Sequence, residues 1–192
     1  MPSRSLQTWQ TDGRRALDEM EAAHRAVGRA GPGARYAAQQ INQAYVLLLS
    51  AQFQRFCRDL HTECVSRLLE HPSLVPFESF LYPRMTEGRK LDFGNPNPGN
   101  IGSDFGRLGI EFWDEVRRMN RNAKRRLEHL ETLNRWRNAV AHQDFDKPVL
   151  AGRNAVALAE VRRWRAACNT LAVDFDRVMR AYLHGLCGKP PW

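Results

Sequence analysis

Apolar residues along this chain recur at three- and four-residue steps, the spacing that lines one face of an α-helix. The clearest stripe runs through Trp164, Cys168, Leu171, Phe175, Val178, Tyr182 and Leu186 and predicts a helix over residues 154–186. A second stripe, Ile41, Tyr45, Leu48, Leu49, Phe53, Phe56, Leu60, Cys64 and Leu68, predicts another over 36–70. Residues 6–27 are polar but helix-compatible, and the glycine and proline punctuation at 28–33 closes them. Pro72, Pro76, Pro83 and the run Gly94-Asn95-Pro96-Asn97-Pro98-Gly99 mark 71–100 as an irregular connection. A third helix is expected from Ser103, an N-cap residue, through Phe105, Leu108, Phe112, Trp113 and Val116, and a fourth over 122–141. No segment alternates with period two long enough to make a strand. The expectation is an all-α protein, an antiparallel bundle of four to five helices in a single domain over 1–192, with a helical extension at 1–35.

The fourth helix breaks its own pattern. At 100° per residue Leu127, Leu130, Leu133 and Val140 share one face, with Lys124, Arg125, Glu128, Glu131 and Arg135 opposite. Arg137 falls inside the apolar stripe. A guanidinium there either runs along its own methylene stem to the bundle end or reaches a wet cleft between helices. His142 follows five residues later, rotated by about 140° on a continuous helix. The two can converge if the helix ends around Ala141 and leaves His142 on the terminal turn, an ending that Pro148 makes plausible. Guanidinium matches phosphate oxygens and imidazole moves protons near neutrality, so the pair is chemically suited to a phosphate ligand.

The formal charge of +8 adds attraction to polyanions, of which nucleic acid is the commonest in a cytoplasm. Lysine occurs only at Lys90, Lys124, Lys147 and Lys189, so the arginine bias also fits codon composition. Arg117, Arg118, Arg121, Lys124, Arg125 and Arg126 form a basic run that either tracks an RNA backbone or is a solvated helix junction. Arg121, Lys124, Arg125 and Arg135 are the substrate-binding candidates.

Other chemistry is thinner. No apolar run reaches the roughly 20 residues of a membrane span, and no signal-peptide pattern opens the sequence. Cys57, Cys64, Cys168 and Cys187 lie in helical stripes and read as buried thiols of a reduced compartment, with a disulfide framework or a zinc site as the alternative. His61 and Cys64 sit at helical spacing but lack a second ligand pair, so packing is the better account. Gly99, Gly102, Gly106 and Gly109 follow no strand and lack the ending of a phosphate loop. Trp136, Trp164 and the phenylalanines read as core.

The segment Leu130-x2-Leu133-x2-Trp136-Arg137-Asn138-Ala139-Val140-Ala141-His142 resembles the signature of the HEPN superfamily. Asn97-Pro98-Gly99-Asn100-Ile101 and Phe105-Gly106-Arg107-Leu108-Gly109-Ile110 are similar to segments of prokaryotic stand-alone members of the RiboL-PSP type. The resemblance implies an endoribonuclease that cuts single-stranded RNA without metal or cofactor, a toxin or antiviral effector in the cytoplasm, acting as a homodimer. It assigns proton transfer to His142, charge stabilisation at the phosphate to Arg137 and positioning to Asn138, which otherwise reads as a surface polar residue. An antitoxin or defence-system protein is an implied partner. Asp144 stands where relatives paired with nucleotidyltransferase antitoxins carry tyrosine, so that pairing is not implied. The alternative is a non-catalytic HEPN-like module that binds RNA, nucleotide or protein through the same cleft.

Overall fold

The Ser3 hydroxyl accepts a hydrogen bond from the Leu6 amide at 3.1 Å, satisfying one of the free N–H groups that open a helix. From there the computed structural model, which describes residues 1–27, 33–146 and 148–192, is helical almost throughout, with no strand among the described residues. α1 (Arg4–Thr8) and α2 (Arg14–Val27) are joined by a π-turn at Trp9–Gly13. Then come α3 (Ala34–Leu69), α4 (Glu78–Thr86), α5 (Lys90–Phe93), α6 (Pro98–Gly106), α7 (Phe112–Met119), α8 (Ala123–His142) and α9 (Leu158–Cys187). The predicted break at 28–33 falls mostly outside the described residues; Gly33 precedes α3 directly.

α3 and α9 form the middle of the bundle. Their contacts advance together, Tyr45 with Arg165 and Phe53 with Phe175, so these two helices run parallel. α8 runs against α9, since Arg126 meets Asp174 while Trp136 meets Trp164. α2 runs against α3, pairing Glu21 with Tyr45. The expected antiparallel packing therefore holds for the outer pairs, and the central pair departs from it. The N-terminal extension belongs to the core: Trp9 sits 5.7 Å from the Phe53 ring and Leu17 is fully buried. Burial of such rings and of Phe105, Phe112 and Phe175 supplies the main driving force for assembly.

Two local expectations are corrected. Residues 71–100 are not structureless, because a 3₁₀ turn (Val75–Phe77), α4 and α5 lie within them. Pro83 sits inside α4 rather than breaking it. α4 lies on the surface, so the Ser79 carbonyl that proline leaves without a helical donor is on a solvent-exposed residue. α5 starts where the Asp104 carboxylate accepts from the Lys90 and Leu91 amides at 2.8 and 2.9 Å. That cap comes from a residue 13 or more positions away, which no local pattern reveals.

The predicted third helix is two helices. Asn97, not Ser103, is the cap: its side chain accepts from the Asn100 amide at 2.8 Å, and Pro98 occupies the first turn, where its missing N–H costs nothing. Gly109, with φ of +82°, separates α6 from α7. At Gly102 a Cβ would lie 2.7 Å from the Trp113 indole nitrogen, which donates to the Pro98 carbonyl at 2.8 Å. Glycine there lets the two short helices close on each other.

Cys57, Cys64 and Cys168 are buried free thiols, Cys187 is half-buried and free, and burial pushes the Cys57 and Cys64 thiols up well above their usual range. The expected thiols are thus present without pairing. Among the described residues no helix is long and apolar enough to cross a membrane.

Candidate functional site

α8 carries the anomaly the sequence shows. Leu130, Leu133, Trp136, Ala139 and Val140 are buried, whereas Leu127, expected with them, is only half-buried. Arg137 lies within this arc and is half-buried. Its guanidinium donates from Nη1 to Oδ1 of Asn138 at 3.2 Å. That is the one hydrogen bond Arg137 makes among the described residues, and no ion pair joins it there. A permanent cation at a half-buried position with a single neutral partner remains available to an anion.

Asn138 does more than hold Arg137. The same Oδ1 accepts from Nδ2 of Asn95 at 2.8 Å. One helical turn earlier, buried Asn134 donates to the Pro96 carbonyl at 3.1 Å and to the Leu130 carbonyl at 2.9 Å. Asn100 closes the turn by donating to the Asn95 carbonyl at 2.8 Å. Asn134 and Asn138, at i and i+4 on one face, thus clamp the Asn95-Pro96 turn onto α8. Sequence reasoning missed Asn134 and Asn95; the visible signal was an asparagine interrupting the stripe between Leu133 and Trp136.

His142 stands elsewhere. The helix ends where expected, with His142 on its last turn and Gln143 terminating it in the left-handed region with φ of 51°, but this ending does not bring the two side chains together. On that continuous helix Arg137 and His142 are separated by about 140°, so one protomer does not bring them onto the same face. Asn138, at four residues and about 40° from His142, lies between them. His142 is exposed and makes no hydrogen bond among the described residues. The sequence-predicted trio is therefore a row at the C-terminal end of α8, from Arg137 through Asn138 to His142.

The substrate-binding candidates scatter. Arg135 is exposed, lies within about 20° of His142 and two turns below it, and pairs weakly with Glu131 at 3.8 Å. Arg121, Lys124 and Arg125 are exposed at the opposite end of α8. Lys124 is about 20 Å along the helix from Arg137, so the two do not share one site. Trp136 and Trp164 are core as expected, with rings 6.5 Å apart. The phenylalanines divide, because Phe77, Phe80 and Phe93 are exposed. Phe93, at 88% exposure, directly precedes the turn clamped by Asn134 and Asn138.

His61, which the sequence leaves to packing, is fully buried. Its Nε2 pairs with the Asp104 carbonyl at 3.0 Å and its Nδ1 faces Arg89 at 3.4 Å. Burial, then the Arg89 charge, pulls its pKa down to about 4. A neutral imidazole sealed in the core transfers no proton to a substrate. His129 lies 13 residues before His142, about 20 Å along α8, too far to share a phosphate with it. Among the described residues no group of His, Cys, Asp and Glu is arranged to hold a metal ion.

The chain was compared with protein families, with curated proteins and with solved structures, and none of the three gives a match.

Proposed function

We propose that this protein is a metal-independent endoribonuclease that cuts single-stranded RNA by attack of the 2′-hydroxyl, working as a homodimer. The observation that carries the reading is Arg137, a half-buried cation whose one hydrogen-bond partner among the described residues is the neutral Asn138, on the side of α8 between Arg137 and His142. RNA supplies its own nucleophile, so the protein's task is to move protons and to balance charge on the phosphorane. His142 transfers the proton, Arg137 meets the phosphate oxygens and Asn138 sets the guanidinium in place.

The reaction needs both a base and an acid. One protomer exposes one imidazole here, since His61 is buried and His129 is remote. A two-fold axis beside the end of α8 brings a second His142 and a second Arg137 to the same cleft, which also answers the 140° between them within one chain. A role as toxin or antiviral effector, with an antitoxin or defence-system partner and a cytoplasmic setting, extends this reading.

A second reading is a non-catalytic module that binds RNA, nucleotide or protein through the same surface. The absence of any hydrogen bond to orient His142 among the described residues favours it. Incubating single-stranded RNA with the protein in EDTA separates the two. Cleavage that Arg137→Ala and His142→Ala each remove supports the nuclease; binding without cleavage supports the module.

A further inference from the structure

An open cavity of about 350 Å³ lies between α8 and α9, lined by Asn122, Arg125, Arg126, His129, Arg163 and Thr170, with buried Ala167 beside them. Three guanidiniums and an imidazole face it, and no carboxylate lines it. Only Arg126 is committed, pairing at 3.3 Å with Asp174, which also accepts from Asn120 at 2.8 Å. Arg125 and Arg163 have no carboxylate within ion-pair distance among the described residues, and Glu160, near enough to Arg163 to be held ionised in part by its charge, is committed to Arg153.

The contrast with the larger cleft between α2 and α9 is informative. That cleft, about 710 Å³, holds Arg14, Arg162 and Arg165 but also Asp18 and Glu21. Its arginines are paired in place: Arg165 reaches Asp18 at 2.6 Å and Glu21 at 3.1 Å, and Arg162 reaches Glu21 at 2.8 Å. The larger cleft sets two carboxylates among its three guanidiniums, whereas the α8–α9 cavity has none in its lining. Like charges gathered around a concave, partly apolar space repel one another unless an anion enters, and such walls concentrate the field on it.

We propose that the α8–α9 cavity is a phosphate-binding site in which Arg125 and Arg163 grip the oxygens and His129 supplies a third donor. Guanidinium forks match phosphate geometry, and the Asn122 amide adds a neutral donor at the rim. The site lies about 12 Å along α8 from Arg137, counted from His129, so it is separate from the Arg137–Asn138–His142 row. The shared chemistry is a phosphoryl group, carried either by a small ligand with a terminal phosphate or by the diester backbone of RNA.

The test titrates the intact protein with inorganic pyrophosphate and, separately, with a short single-stranded oligoribonucleotide. Binding is followed by calorimetry and by the nuclear magnetic resonance signals of the His129 ring and the Thr170 amide. The site predicts that Arg125→Gln and Arg163→Gln each weaken binding about tenfold, the scale of a charge-assisted hydrogen bond. Arg180→Gln, which removes the same charge from an exposed position elsewhere on α9, changes it less than twofold. A response to pyrophosphate assigns a terminal phosphate, and a response to the oligonucleotide alone assigns a diester; either supports the site. Signals of His129 that neither probe moves, or a loss in Arg180→Gln equal to that in Arg163→Gln, overturn it. RNA cleavage that persists in that case leaves the catalytic reading standing without this site.

Discussion

Asn95 donates from Nδ2 to Oδ1 of Asn138 at 2.8 Å, tying the turn after Phe93 to the last turns of α8. The same oxygen holds Arg137, so one amide links the connection, the cation and the helix end. Replacing Asn138 with Ala is expected to lower RNA cleavage on the order of 10²-fold, the scale of a misplaced catalytic group. Asn138→Asp keeps an acceptor for both partners but neutralises Arg137, so it should lose activity while keeping stability. Denaturation of both variants beside their cleavage rates checks this, and an active Asn138→Asp protein contradicts it.

Phe93 is expected to stack on a base of the bound strand. With 88% of its surface exposed it contributes little to the core, so Phe93→Ala should leave the melting temperature nearly unchanged. Loss of one base–aromatic contact, about 1–3 kcal/mol, should weaken RNA binding by roughly tenfold or more. Filter binding at fixed salt reads this, and unchanged affinity removes Phe93 from the site.

Much of this architecture is legible in the sequence because burial leaves a period. The stripes through Phe53, Leu130 and Phe175 place α3, α8 and α9 within a few residues of their observed bounds, and Arg137 stands out as a cation in such a stripe. What stays hidden depends on partners distant in the chain. Asp104 caps α5 through backbone amides, Asn134 clamps a proline carbonyl 38 residues away, and Arg89 and His61 meet in the core. Hydrogen bonds of this kind carry no periodicity. Gly109, which divides the third helical stripe, reads in one dimension as an ordinary helix interruption.

Stability should fall with acid through His61. Burial, helped by Arg89, with Arg107 and Asp92 also near, puts its folded pKa at about 4, against 6.5 for the free side chain. Between these values the unfolded chain binds the extra proton, so stability is fully present above about pH 6.5 and is lost as pH drops toward 4. Over that window the loss reaches about 3 kcal/mol. Urea titrations at pH 7 and 4.5 measure it, and His61→Gln should flatten the difference. An equal acid sensitivity in that variant would place the effect elsewhere.

The active species should be a dimer. Dilution through the dissociation range is expected to lower specific activity in step with the dimer fraction seen by sedimentation. A monomer of constant specific activity would remove the shared cleft and leave one protomer to supply both acid and base.

The central claim is that Arg137 and His142 cut RNA through its own 2′-hydroxyl. Analysis of product ends after digestion of single-stranded RNA in EDTA tests it most directly. The account predicts 2′,3′-cyclic phosphate and 5′-hydroxyl ends from the wild-type protein, with the rate lowered by about 10²–10⁴-fold in His142→Ala. Products ending in 3′-hydroxyl and 5′-phosphate, or cleavage undiminished in His142→Ala, would contradict it.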